Sequence, residues 1–129
     1  IIDEIGNNSF DHNLGNWRDI TGAVLAVDFL HRIIILSDRG QGILKTISRV
    51  RPDIVDNIKA LQVVFTEIVS GRAPEQRGNG LKFVRKVIVE NNLMLKYFSG
   101  DAVCTIAQGQ MEIKKNDFLI PGMLAVIKY

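Results

Sequence analysis

The spacing of apolar residues predicts the order of helices and strands along the chain. Apolar residues at helical spacing predict a first helix over residues 1–12. The aliphatic stretches GAVLAVDFL (22–30) and HRIIILSD (31–38) predict two adjacent antiparallel strands. A second apolar stripe, with Pro52 in its first turn, predicts a helix over residues 53–69.

The C-terminal half begins with a loop and ends in strands. The stretch SGRAPEQRGNG (70–80) contains three glycines and a proline, so neither a helix nor a strand can run through it. Helical spacing resumes in LKFVRKVIVENN (81–92). The tail predicts successive short strands in LMLKYFS, AVCTIA, MEIKK and MLAVIKY.

This order of elements predicts an α+β fold. Helices and strands do not alternate strictly, and the all-strand tail favours a mixed, mostly antiparallel sheet covered on one face by helices, a two-layer α/β sandwich. A length of 129 residues fits a single domain over residues 1–129. Because the chain begins with Ile1 inside a helical pattern, we expect it to be a fragment of a longer protein.

Composition excludes several classes of partner. A formal charge of +2, from 16 basic and 14 acidic residues, is too small to indicate a nucleic-acid partner. The single cysteine can form neither an internal disulfide nor a cysteine-based zinc site, which favours a reducing, cytoplasmic setting. No apolar run approaches the roughly 20 residues that span a bilayer, so we expect no direct membrane contact.

Three constellations of polar residues and glycines are candidates for chemistry. In IIDEIGNNSFDHN, the residues Glu4, Asn8 and His12 are four apart and therefore lie on one stripe of the first helix. A carboxylate can activate a hydroxyl or water, and a carboxamide oxygen is a suitable ligand for Mg²⁺. The alternative is an ordinary solvated helix face.

The other two constellations are glycine turns. In SDRGQG, Asp38 ends a predicted strand, and Gly40 and Gly42 let the backbone turn sharply. A carboxylate fixed there can accept a hydrogen bond from an exocyclic amine. In RGNGL, Gly78 and Gly80 lead into a helix N-terminus, which attracts phosphate. A strand-to-loop turn and a flexible loop before a helix are the respective alternatives. No P-loop, dinucleotide fingerprint or zinc motif is present.

The order of these motifs resembles a known family. E-x-x-x-N on a helix, D-x-G-x-G after a strand, and R-G-x-G-L opening another helix are similar to the ATP-binding domain of gyrase, Hsp90, histidine kinases and MutL, the Bergerat fold of the histidine-kinase-like (GHKL) ATPases. The stretch NSFDHN, with His12 four residues after Asn8, looks closer to histidine kinases and the related anti-sigma-factor kinases than to gyrase.

The resemblance implies a role for each motif residue. Glu4 would be the general base, and Asn8 the Mg²⁺ ligand, with His12 beside it at the ATP. Asp38 would hold the adenine amine. The remaining ATP-binding residues would be Gly40, Gly42 and Ile43 in the first glycine box and Arg77, Gly78, Gly80 and Leu81 in the second. Residues 43–77 would form the ATP lid.

The resemblance implies a signalling kinase domain that binds Mg²⁺ and ATP. Its protein phosphoacceptor or an upstream dimerisation domain would lie outside this fragment. Two alternatives remain: an ATP-hydrolysing conformational switch of the gyrase, Hsp90 or MutL kind, and a degenerate, non-catalytic protein-binding domain. Two departures from the family pattern favour the last one: Asp11 replaces a common basic residue, and Met123 replaces a usual phosphate-facing threonine.

Overall fold

A computed structural model describes residues 1–6, 22–67 and 80–129. The described start of the chain is helical over residues 2–6, which we name α1. The other helices are α2 (Gly42–Ile47), α3 (Asn57–Thr66) and α4 (Gly80–Glu90). The strands are β1 (Ala23–Asp28), β2 (Ile33–Asp38), β3 (Met94–Ala107) and β4 (Gln110–Lys128). No helix in these ranges is both long enough and apolar enough to span a membrane.

The four described strands form one open antiparallel sheet in the order β1-β2-β4-β3. The predicted α+β class is confirmed, and the architecture is compatible with the predicted α/β sandwich. The β3–β4 hairpin turns through Gln108 and Gly109, whose φ angles of 51° and 75° suit the right-handed twist of the two strands. The predicted pairing of the strands within 22–30 and 31–38 is confirmed as β1 with β2.

The C-terminal tail forms two long strands, whereas the sequence predicts four short ones. The pairing register of β3 with β4 shifts on both sides of Gly100, so the two strands bend and continue instead of ending. Gly100 has a φ of +60° and packs against the Asn57 side chain. Asn57 Nδ2 donates to Asp101 Oδ1 at 2.8 Å, and this hydrogen bond lowers the pKa of Asp101. The bend therefore holds the start of α3.

Helix α3 begins later than the sequence predicts. The residue before it, Asp56, accepts a hydrogen bond from the Lys59 backbone N–H at 2.7 Å, and this N-cap sets the start at Asn57. Pro52 therefore precedes the helix instead of lying in its first turn, and Val55 is exposed. The predicted helix over 53–69 is correct in type but too long at both ends, because α3 spans Asn57–Thr66.

The hydrophobic core lies between one face of the sheet and the helices. Alternate residues of β2, β3 and β4, including Leu36, Tyr97 and Ala125, point to this face and are buried. Phe65 of α3 meets the Tyr97 ring edge-on, with ring centroids 5.5 Å apart. Each such buried aromatic or aliphatic side chain contributes roughly 1.5–3 kcal/mol to stability. Ile5 of α1 belongs to the same cluster, which anchors the short described helix.

Candidate functional site

Asp38 is the last residue of β2 and points to the helix-covered face of the sheet. Its side chain is buried, with 8% exposure, which is unusual for a carboxylate. Asp38 Oδ1 accepts a hydrogen bond from the Gly40 backbone N–H at 2.8 Å. Within the described residues, Asp38 Oδ2 has no hydrogen-bond donor. A buried oxygen without a donor is suited to a ligand that donates to it.

Gly122 packs directly against the Asp38 turn. A Cβ atom on Gly122 would overlap the Asp38 carboxylate, the Asp38 carbonyl oxygen and the Gly40 nitrogen. These neighbours include backbone atoms, which cannot rotate away. A side chain is therefore excluded at this position, and β4 packs closely against the turn.

The first glycine turn continues into α2. Gly42 has a φ of +74°, a conformation that favours glycine, and the helix begins there. The Ile43 backbone N–H donates to Ser99 Oγ of β3 at 3.0 Å. Ser99 Oγ in turn donates to the Gly122 carbonyl oxygen at 2.9 Å. The hydroxyl of Ser99 thus joins the start of α2 to both neighbouring strands.

Tyr97 adds a second polar side chain near Asp38. Its ring is almost fully buried. Burial, followed by the negative charge of Asp38, raises the pKa of Tyr97 above its ordinary value. The phenol therefore stays protonated, and it can only donate or accept as a neutral group.

Glu4 and Gly80 meet where α1 approaches the start of α4. A Cβ atom on Gly80 would overlap the Glu4 carboxylate, so the missing side chain lets this carboxylate reach the helix start. Glu4 is half-buried, and no described residue forms a hydrogen bond to its side chain. A negative charge is favourable at a helix N-terminus because of the helix dipole.

One hydrophobic cluster underlies both contacts. Ile5 follows Glu4, Leu81 follows Gly80, and Leu36 precedes Asp38 by two residues. All three apolar side chains are buried in the same cluster as Met123. The polar residues of three distant chain segments therefore lie around a single core.

The predicted site residues fall into three groups in the structure. Asp38, Gly40, Gly42 and Ile43 come together between β2 and α2. A second group forms where α1 meets α4, and it contains Glu4, Gly80 and Leu81. The third group, Asn8, His12, Arg77 and Gly78, lies outside the described residues.

The predicted ATP lid, residues 43–77, is described only in part. Residues 43–67 contain most of α2 and all of α3. The buried residues of these helices, such as Ile47, Leu61 and Phe65, pack into the core clusters. Residues 68–77 of the predicted lid lie outside the described residues.

Sequence reasoning missed Gly122 and Ser99 as parts of the Asp38 region. A glycine inside a strand often marks a close backbone approach, so Gly122 carried a detectable signal. Ser99 carried none, because only the folded sheet brings it to Ile43. Met123 was noted as a departure from the family pattern, and the structure pairs it with Asp38 across β2 and β4.

A metal centre is not formed by the described residues alone. Residues 1–6, 22–67 and 80–129 contain no group of three or more His, Cys, Asp or Glu side chains that could hold a metal ion. The predicted Mg²⁺ ligand Asn8 lies outside these ranges. The sequence matches no protein-family model, and no curated protein matches it significantly.

Proposed function

We propose that this chain is the Mg²⁺-ATP-binding catalytic domain of a signalling protein kinase of the histidine-kinase-like ATPase superfamily, with the Bergerat fold. The observation that supports it most is the position of Asp38, a buried carboxylate with one oxygen free of any donor among the described residues. The motif residues Glu4 and Gly80 border the same core.

Asp38 would recognise the purine base. The Gly40 N–H fixes the carboxylate through Oδ1, which leaves Oδ2 for the donor of a ligand. An ionised carboxylate can only accept hydrogen bonds, and the 6-amino group of adenine can only donate usefully to it. Met123, opposite Asp38, offers an apolar surface to the ring.

Glu4 and the start of α4 would lie at the triphosphate. The N–H groups at the start of the eleven-residue helix α4 favour an anion, and Gly80 leaves the first position of the helix without a side chain. Glu4 would orient the acceptor hydroxyl, imidazole or water. Bound Mg²⁺ would neutralise charge on the phosphates, and by the resemblance Asn8 would hold it. His12, Arg77 and Gly78 complete the proposed ATP site on the same basis.

Titration calorimetry with Mg²⁺-ATP tests this proposal. We expect the wild type to bind and Asp38→Asn to bind roughly 10- to 100-fold more weakly, because a hydrogen bond to a charged acceptor is lost. Asp28→Asn is the matched control. Asp28 ends β1 at the opposite end of the same hairpin and is exposed, so its loss should leave the affinity unchanged.

Two results would count against the proposal. Equal affinities of the wild type and Asp38→Asn would show that the base does not bind at Asp38. Absence of binding at millimolar nucleotide would favour the degenerate, protein-binding alternative.

A further inference from the structure

Ser99 is the residue from which this inference starts. It is 1% exposed, and no substrate role was assigned to it from the sequence. Its hydroxyl accepts from the Ile43 N–H at 3.0 Å and donates to the Gly122 carbonyl at 2.9 Å. Both hydrogen bonds cross between segments that are far apart in the chain, since Ser99 lies 56 residues from Ile43 and 23 from Gly122.

These two hydrogen bonds hold the two chain segments that contact the Asp38 carboxylate. The hydrogen bond from the Ile43 N–H holds the start of α2 and, with it, the turn from Gly40 to Gly42. The Gly40 N–H of this turn donates to the Asp38 carboxylate. The Gly122 bond holds the segment of β4 that packs against the same carboxylate. Removing the hydroxyl would leave a backbone donor and a backbone acceptor unpaired, and both supports of Asp38 would loosen.

We propose that Ser99 is a positioning residue for purine selectivity: it keeps the Asp38 carboxylate in the orientation that accepts a 6-amino purine and rejects a 6-oxo purine. This inference depends on the proposed function. A 6-oxo purine places a carbonyl acceptor against the carboxylate, so two acceptors face each other without a proton between them. Discrimination of this kind requires a fixed carboxylate, because a mobile one turns away from the mismatch.

Selectivity separates a positioning role from a structural one. A merely structural defect lowers the affinities for ATP and inosine triphosphate (ITP) by the same factor. A loosened Asp38 weakens ATP binding more than ITP binding. The ratio of the two dissociation constants is therefore the informative quantity.

The experiment measures Mg²⁺-ATP and Mg²⁺-ITP binding by calorimetry for the wild type, Ser99→Ala and Ser37→Ala. We expect the wild type to prefer ATP about tenfold or more, and Ser99→Ala to prefer it less than about threefold. Ser37→Ala is the matched control. Ser37 Oγ also donates to a β4 carbonyl, that of Met123 at 3.0 Å, but from the opposite face of the sheet, so its loss should leave the preference unchanged.

Amide hydrogen exchange of the ligand-free proteins gives a second readout. Ser99→Ala should speed exchange at Ile43 and Gly40, whereas Ser37→Ala should not. If Ser99→Ala does not fold, Ser99→Cys takes its place. Its thiol is close in size and forms weaker hydrogen bonds, so we expect an intermediate ATP preference.

The outcomes are distinguishable from those for the proposed function. If the wild type prefers ATP and Ser99→Ala, or Ser99→Cys in its place, keeps that preference in full, the inference on Ser99 is overturned while the proposed function stands. If the wild type binds neither nucleotide, or binds both equally, the proposed base recognition fails and the inference fails with it.

Discussion

Two contacts between a glycine and a carboxylate mark the two ends of the proposed site. Gly122 packs on Asp38, and Gly80 packs on Glu4. In both places the missing side chain allows an acidic group to approach. The two contacts differ in the interactions that hold the carboxylate in place. Asp38 accepts a hydrogen bond from the Gly40 backbone N–H and packs against Gly122, whereas Glu4 is held by no described hydrogen bond.

This difference matches the two tasks that we propose. Recognition of a base requires a carboxylate whose orientation is set before the ligand arrives, because rigidity lowers the entropic cost of binding. A group that assists phosphoryl transfer needs an oxygen that is free to bond with the acceptor. Asp38, held by the Gly40 N–H, and Glu4, with no hydrogen bond to its side chain from the described residues, are consistent with these two roles. The following substitutions test the distinction.

The largest effect is expected for Glu4→Gln. A carboxamide cannot take a proton, so we expect phosphate release from Mg²⁺-ATP to slow by at least about 100-fold. Nucleotide affinity should stay within about threefold of the wild type, since base recognition occurs elsewhere. Rates come from phosphate release under saturating nucleotide. Equal rates in the two proteins would remove Glu4 from the chemistry.

Gly122→Ala should mainly affect folding. The new methyl group would overlap backbone atoms of Asp38 and Gly40, so we expect the free energy of unfolding to fall by about 1–3 kcal/mol. Urea denaturation measures this change. Gly22→Ala is the matched control, because no described residue has an atom within 4 Å of its Cβ position and its stability should be unchanged or slightly higher. Similar values for both variants would mean that β4 does not support the Asp38 turn.

Gly80→Ala should affect phosphate release and not stability, which is the opposite of Gly122→Ala. The new methyl group would meet the flexible Glu4 side chain, which can rotate away at little energetic cost. Alanine also favours a helix over glycine by up to about 1 kcal/mol, so stability should hold or rise. Displacement of Glu4 should slow phosphate release by about tenfold. A loss of stability as large as that of Gly122→Ala would contradict the difference between the two contacts.

The smallest effect concerns the thiol of Cys104, which lies in the hydrophobic core that both contacts border. Cys104 is fully buried, and burial raises the pKa of its thiol to about 12. In the unfolded chain the thiol ionises near its ordinary pKa of 9.0. The thiol therefore ionises at a lower pH in the unfolded state than in the folded state. Because this ionisation stabilises the unfolded state, the free energy of unfolding is unaffected below pH 9 and falls as the pH rises towards 12.

The measurement compares the wild type with Cys104→Ala in urea at pH 8 and pH 10. We expect the wild type to lose about 1 kcal/mol more than the variant over this interval. Tyr97 also has a raised pKa, but it is present in both proteins and cancels in the difference. Parallel losses would show that the thiol of Cys104 is not shielded from water in the native state.

The sequence alone predicted the elements whose signals are local. The strands of the β1–β2 hairpin follow from aliphatic runs, and α4 follows from helical spacing after a glycine-rich stretch. The turn at Gly40 and Gly42 follows from the conformational freedom of glycine. Helix α2 was not predicted, because six residues carry too little periodicity and its start depends on the Ile43 bond to Ser99. The same limit explains the late start of α3, where one N-cap set the boundary.

Only the tertiary structure decided which residues surround Asp38 and Glu4. Gly122 and Ser99 reach the Asp38 turn because β4 lies between β2 and β3, an order that no local pattern encodes. Gly80 reaches Glu4 because α1 and α4 share one hydrophobic core. Hydrophobic burial is non-directional, so the sequence specifies which side chains must be buried, while packing determines which distant residues become neighbours.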